Sequence, residues 1–518
     1  MKQSKVALAV KLVVAATAVG ALGSAAAASD NTRVIVAFKP GKAAAAKSAV
    51  AAAKGNIKHE IFGMDAMAIE VPVQALNGLK NNPNVEYIEE DVERKLFATE
   101  TPSTGTPYAL GQQVPYGIKL TQSDLLSDAN AGNRKVCIID SGYDRAHEDL
   151  DKSSNVTGEY DAGTGWWYTD ENSHGTHVAG TISALNNSGT GVVGVNSNAK
   201  LKLHIVKVFS ASGWAYSSSL ASAANKCGAA GANVISMSLG GGRKSVTEQK
   251  AFDQLQAKGV LSIAAAGNDG NTVVSYPAGY ASVMMVAAVD ENKAWATFSQ
   301  YNSKVEISGP GVAVLSTVPM NSGTKAALTV GSTSYAPGAM EGSPKATRTG
   351  ALYDFGIGNA VNSAAAGKVC LIQRGTIDFA TKVMNCQNSG GVGAVIYNNV
   401  AGAFGGTMGT TVSTIPSVTA TDVEGTAMKG QVGQSATVAV TGDHYSHFDG
   451  TSMATPHVSA VAALVWSYYP SCTGAQIRAS LTKSALDLST AGKDNKTGYG
   501  LVQALAAKNR IATYGCGN

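Results

Sequence analysis

Apolar and polar positions change their spacing several times along this chain, and each change marks a different kind of element. Residues 33–38 alternate as a strand, residues 43–54 form an Ala- and Lys-rich helical stretch, further strands are expected around 66–71, and the unit closes with residues 85–91. Thr, Ser, Pro and Gly crowd residues 99–107, which predicts an exposed linker open to cutting. From about residue 108 short apolar runs alternate with helical patterns. Strands are expected at 135–139, 201–208, 234–238, 260–265 and 283–289, with helices at 177–185 and 220–226. Strand and helix alternating at these lengths predict an α/β fold, a parallel sheet flanked by helices on both faces. Between about 320 and 442 the pattern shifts to Thr, Gly and short strands, with runs at 367–373 and 393–397 around a helix at 379–387. A long apolar helix running to residue 469 follows, so the larger domain is interrupted by an insert.

Length agrees with several units, because 518 residues exceed what one core organises. With 44% hydrophobic and 15% charged residues and 58 glycines, the composition is that of ordered, turn-rich material. Residues 1–28 carry Lys2, Lys5 and Lys11, an apolar run at 12–22, then small residues, the pattern of a secretory signal peptide. That run is shorter than the ~20 residues a bilayer span needs, so no membrane anchor is expected. The net charge of +4 includes 12 basic and 9 acidic residues in 1–97, and the remainder is nearly neutral. No basic excess of the kind that binds nucleic acid is present. The six cysteines, Cys137, Cys227, Cys370, Cys386, Cys472 and Cys516, are even in number and widely spaced, which in an exported chain predicts disulfides of open connectivity.

Four stretches carry candidate chemistry. Ile138-Ile139-Asp140-Ser141-Gly142 puts an acid at the carboxyl end of a buried strand, the edge where sites form in open α/β sheets. His174-Gly175-Thr176-His177-Val178-Ala179-Gly180 puts a histidine, suited to moving a proton near neutral pH, at a helix start. A zinc pair at His174 and His177 lacks the glutamate and the four-residue spacing of HExxH. Gly450-Thr451-Ser452-Met453-Ala454-Thr455-Pro456 puts a serine at the mouth of a long helix, where Pro456 is tolerable and where a backbone N–H can bind a developing oxyanion. Ala264-Ala265-Ala266-Gly267-Asn268 ends another strand with an amide donor. A GxGxxG match at 189–194 follows a helix rather than a strand and has no acid between Glu171 and Glu248, so a dinucleotide enzyme is not expected.

In the order Asp140, His174, Asn268, Ser452, these motifs resemble those of the subtilisin family over about residues 108–320 and 443–518. The resemblance implies a seven-stranded parallel sheet and a secreted serine endopeptidase. Ser452 would be the nucleophile, His174 the base, Asp140 its orienting acid and Asn268 an oxyanion donor. It further implies that Ser212-Gly213-Trp214 and Ser238-Leu239-Gly240 sandwich extended protein and peptide substrates. Ala265, Ala266 and Gly267 would wall a pocket for apolar or bulky side chains, so broad specificity is expected. Gln112, Asp149 and the loop 184–189 resemble the family's structural calcium site, with Leu185, Asn187, Thr190 and Val192 completing the implied ligands, although the loop is one residue longer before Val192.

Residues 29–97 resemble an inhibitor-like α+β propeptide that assists folding and blocks the cleft until it is cut off, with 98–107 as processing linker. The insert, 321–442, resembles a small, mainly-β protease-associated (PA) domain. Cys370 with Cys386, Cys472 with Cys516 and Cys137 with Cys227 are the expected pairings. A monomer is the default for such an enzyme. The competing class is a catalytically inactive secreted binding protein on the same fold.

Overall fold

The computed structural model describes residues 31–101, 112–187, 189 and 191–518. The signal peptide expected at 1–28 and linker residues 102–107 lie outside the described residues. Among the described residues no helix is long and apolar enough to cross a membrane.

The N-terminal unit is a four-stranded antiparallel sheet, ordered Asn56–Glu60, Ala66–Pro72, Asn31–Phe38, Val85–Glu90. One face buries Val34, Val36, Phe38, Met67 and Ile69 against Ala46 and Val50 of the helix Ala43–Ala52. The other face places Ile35, Ala37 and Ala66 against Ala221 and Ala251. These two alanines belong to the helices Ser217–Ala229 and Val246–Ala257 of the large domain. The alternation expected at 33–38 is corrected: residues 34–38 are apolar throughout, because this strand is buried on both faces. Two acids at the end of the unit cap the same helices. Glu89 accepts from Ser245 Oγ and from the N–H groups of Val246 and Thr247 (2.7–3.0 Å). Asp91 accepts from Ser217 Oγ, Ser218 N and Ser218 Oγ (2.7–3.2 Å). Carboxylates there satisfy orphan N–H donors and meet the positive helix end.

The large domain is built on the expected seven-stranded parallel sheet, ordered Val305–Pro310, Val283–Val289, Leu261–Ala265, Val234–Met237, Lys135–Asp140, Lys202–Lys207, Val156–Gly158. Alternate residues of the central strand enter different cores. Val136 and Ile138 pack toward the helices His174–Ser183 and Thr451–Tyr468, whereas Cys137 and Ile139 pack toward Ser217–Ala229. Strand order reverses beside Lys135–Asp140, so Asp140 ends its strand at the topological switch point, where open α/β sheets form their crevice.

All three expected disulfides are present. Cys137–Cys227 ties the central strand to a covering helix, Cys370–Cys386 lies within the insert, and Cys472–Cys516 holds the C-terminal tail.

The insert forms an eight-stranded mixed sheet with helices Phe379–Asn388 and Asp422–Lys429. It leaves and re-enters at adjoining points: Gly323 pairs with Asp443, and Val318 N–H donates to His444 O (2.8 Å).

Several elements differ from the sequence expectation. Helices expected at 177–185 and 220–226 span His174–Ser183 and Ser217–Ala229, because their polar first turns do not show apolar periodicity. The strands Val156–Gly158 and Val305–Pro310 carried too little local signal to be read. The linker expectation is corrected at its start: Thr99–Thr101 is a strand, paired with Tyr445–Asp449. Its Thr-rich composition is compatible with either state, and the exposed edge of a neighbouring strand decides between them.

Candidate active site

Asp140 and His174 meet at the carboxyl edge of the sheet, with Asp140 Oδ1 2.7 Å from His174 Nδ1 and both side chains buried. Bonding at Nδ1 fixes the proton there and leaves Nε2 as the basic nitrogen. Among the described residues His174 Nε2 has no hydrogen-bond partner. His177, three residues on, lies inside the core. Its Nε2 faces the carbonyls of Val314 and Ser446 (2.9 and 3.1 Å), its ring stacks on Phe448, and burial pushes its pKa down to about 3. It holds the packing together and stands apart from the proton-transfer geometry.

Ser452 is the second residue of the helix Thr451–Tyr468, so its N–H has no carbonyl within the helix to bond. Pro456 lacks the N–H that would meet the Ser452 carbonyl four residues back, and Ser238 Oγ donates to that carbonyl instead (2.7 Å). The Ser452 hydroxyl in turn donates to Ser238 O at 2.7 Å, not to His174 Nε2. A rotation about the Ser452 Cα–Cβ bond is needed to engage the base.

Asn268 is oriented by its neighbours. Its Oδ1 accepts from Thr451 N (2.9 Å) and Thr451 Oγ1 (2.8 Å), which leaves Nδ2 as the outward donor. Nδ2 donates to the carbonyl oxygen of Phe97 at 2.8 Å. Phe97 N–H meets Ser452 Oγ at 3.1 Å, so the end of the N-terminal unit occupies the site. The preceding residues Glu93–Leu96 form the middle strand of a three-stranded sheet, between Trp214–Tyr216 and Leu239–Gly240. Lys95 pairs with Trp214 on one side and Gly240 on the other, and Leu96 N–H donates to Gly213 O (3.1 Å).

Of the residues expected to flank an extended substrate, Gly213, Trp214, Leu239 and Gly240 line the strand Glu93–Leu96, and Ser238 bonds to Ser452. Ser212 is corrected: it turns back on Ser210, its Oγ 3.0 Å from Ser210 Oγ, and the edge strand runs two residues later, to Tyr216. The turn precedes the ladder and local sequence does not set where pairing begins. Gly240 makes room for the Phe97 ring, since a Cβ there would lie 2.6 Å from Cε2. Ala265 ends its strand, and Gly267 (φ +111°) donates from N to Thr451 Oγ1 (3.1 Å) while any Cβ would strike Gln300. Thr451 and Ser238, which hold Asn268 and the serine helix in place, were missed as supporting groups although both lie inside quoted motifs.

Five of the six residues expected at the calcium site lie together: Gln112 Nε2 lies 2.7 Å from Leu185 O and 3.3 Å from Asn187 Oδ1, Asn187 Nδ2 donates to Asp149 Oδ1 (2.8 Å), and Val192 contributes its N–H, which donates to Asp149 Oδ2 (2.8 Å). Thr190 lies outside the described residues. Burial pushes Asp149 up to about 7, as expected for a carboxylate shielded from water without a compensating charge. Turning the Gln112 amide presents its oxygen beside those of Asp149, Leu185 and Asn187, a hard-oxygen set suited to calcium. Among the described residues there is no group of three or more His, Cys, Asp or Glu that could hold a metal ion.

The comparisons agree with this geometry. The subtilase family model matches residues 132–353 and 327–500, and the fervidolysin N-terminal prodomain model matches 27–91. An alkaline protease of Alkalihalobacillus alcalophilus is 38% identical over 269 residues, 51% of this chain and 65% of that protein, so the chain spans just under two thirds of that relative. Subtilisin DY of Bacillus licheniformis is 42% identical over 222 residues, covering 41% of this chain and 78% of the relative. Among solved structures, the psychrophilic subtilisin-like protease Apa1 from the Antarctic psychrotroph Pseudoalteromonas sp. AS-11 is 45% identical, with a TM-score of 0.62 over 79% of this chain and 100% of its own. Fervidolysin of Fervidobacterium pennivorans shares the fold at 23% identity, with a TM-score of 0.60 over 92% of this chain and 61% of its own. With the seven-stranded sheet, the four motifs and a matching prodomain in one chain, this protein belongs to the subtilase family.

Proposed function

We propose that this protein is a secreted serine endopeptidase of broad specificity, made as a precursor that cuts itself between Phe97 and Ala98. The observation that carries the reading is the Phe97 carbonyl, held 2.8 Å from Asn268 Nδ2 and beside Ser452 at the end of a strand threaded through the cleft. In the reaction, the Ser452 hydroxyl turns from Ser238 O to His174 Nε2 and gives up its proton there as its oxygen attacks the Phe97 carbonyl carbon. Asp140 holds the imidazole and stabilises the imidazolium. Asn268 Nδ2 and the Ser452 N–H hold the oxyanion. The intermediate collapses, the C–N bond to Ala98 breaks, and His174 Nε2–H protonates the leaving amine. Water enters by the same base and hydrolyses the acyl-serine ester. Backbone pairing on both strand edges accepts many sequences.

Until released, residues 31–97 act as an intramolecular inhibitor and folding aid, held by the acid caps on two helices of the domain they block. The inserted unit, as a PA-type domain rooted beside the strand Tyr445–Asp449, would shape access to the side of the cleft beyond the cut bond. The test is intact mass and N-terminal sequencing of the exported protein with a casein assay alongside. A mature chain beginning at Ala98 that clears casein is expected. An inert protein points to the inactive binding protein, and an active one matured at another bond overturns the assignment of Phe97.

A calcium ion held by Gln112, Asp149, Leu185, Asn187 and Val192 would neutralise the Asp149 carboxylate and pin the loop after the His174 helix. Chelation by EGTA is expected to lower the Tm of the inhibited mature enzyme, and calcium at a hundredfold excess over its Kd to restore about 2.7 kcal/mol. Asp149→Asn should lose this response, and a Tm indifferent to EGTA in the unmutated enzyme would remove the site.

A further inference from the structure

Arg94 is the fourth residue before the bond between Phe97 and Ala98, and its side chain is 0% exposed. Its guanidinium meets Glu248 through two bonds, Nε to Oε1 at 2.9 Å and Nη2 to Oε2 at 2.7 Å. Nη2 also donates to Arg243 O (2.9 Å) and Nη1 to Glu93 O (3.0 Å). Burial alone would lower the Arg94 pKa, but the Glu248 carboxylate more than reverses this and raises it.

Glu248 is 0% exposed and belongs to the peptidase domain, in the first turn of the helix Val246–Ala257. Groups of its own domain hold it as well. Its N–H is capped by Ser245 Oγ (3.2 Å), and Oε2 accepts from Tyr280 OH at 2.6 Å, whose oxygen accepts from Ser245 N. Among the described residues Arg94 is its ion-pair partner, while nearby Arg243 pairs with Glu90. When residues 31–97 depart, the buried Glu248 carboxylate loses its bidentate guanidinium, while Arg243, whose partner Glu90 leaves as well, keeps an exposed side chain at the rim, so the buried carboxylate favours recapture of a cation. The planar fork of three acceptors, two carboxylate oxygens and the Arg243 carbonyl, matches guanidinium better than ammonium. Glu93 and Lys95 on either side are exposed, so of residues 93–97 the cleft encloses Arg94 and Phe97 most fully.

We infer that Glu248 is a specificity-determining residue that selects arginine four residues before the cut, so that proteins and peptides carrying Arg-x-x-Phe are the favoured substrates. This rests on the proteolytic reading above and narrows its broad specificity to a side-chain preference at two positions. The test uses the mature enzyme and fluorogenic peptides ending in Lys-Leu-Phe before the cut, preceded by arginine, citrulline, leucine or alanine. Citrulline keeps the shape of arginine without its charge. Arginine is expected to exceed citrulline and leucine in kcat/KM by about tenfold to a hundredfold, the usual range for a hydrogen-bonded charge. In the variant Arg94→Leu/Glu248→Leu, which removes both charges so that neither is left buried alone, leucine should become the better residue. Equal rates for arginine, citrulline and leucine in the unmutated enzyme would overturn the assignment of Glu248 while leaving the protease reading intact, even if the double variant does not fold. Failure to cut any of the four would overturn both.

Discussion

Replacing Ser452 with alanine is expected to reduce turnover roughly a million-fold and to leave residues 31–97 covalently attached, a magnitude carried over from subtilisin. Both effects have one origin, because the group that would cut substrates also sits 3.1 Å from Phe97 N–H in the precursor. Without it the strand Glu93–Leu96 stays between Trp214–Tyr216 and Leu239–Gly240, and the cleft remains filled. His174→Ala should be about as damaging, and the double variant hardly worse, since nucleophile and base act as a unit. Intact mass and casein hydrolysis of the purified variants measure this. A Ser452→Ala protein that matures to Ala98 by itself and still cleaves casein would end the assignment of Ser452 as nucleophile.

The second large effect is expected at Asn268, where substitution by alanine should lower kcat by about a hundred- to a thousandfold, or ~3 to 4 kcal/mol of barrier, with KM changing far less. The Asn268 amide already touches the Phe97 carbonyl, and the bond strengthens as the oxygen takes on charge. Its orientation is imposed by Thr451, whose N and Oγ1 both donate to Asn268 Oδ1. Thr451→Val removes one of these restraints and should produce a smaller fall in kcat. Steady-state kinetics on one good peptide separate the cases, and a fall of less than about tenfold in Asn268→Ala would show that the Ser452 N–H suffices for the oxyanion.

The Glu248 pocket and the oxyanion geometry illustrate how differently two parts of one cleft read. Asp140, His174, Asn268 and Ser452 each sit in a short string whose local demands are strict. A strand must end at the acid, a helix must begin at the histidine and beside the serine, and Pro456 must follow close to a helix start. Those demands act between neighbours in the chain, so residue order alone was enough to determine them, together with the apolar strands of a sheet buried on both faces and the even set of cysteines. Glu248 carried no such mark. In the chain it is one acid in the first turn of an amphipathic helix, 154 residues from Arg94, and their pairing exists only because the N-terminal unit docks across two helices. The edge strand beginning after Ser212, the strand Thr99–Thr101, the Ser452 hydroxyl bonded to Ser238 O, and the convergence of Gln112 with Asp149 and Asn187 likewise waited on packing between distant segments. Propensity and periodicity sum interactions over a few residues, whereas ladder pairing at an edge and the partner of a buried charge are decided by whichever remote segment the finished core brings within 3 Å.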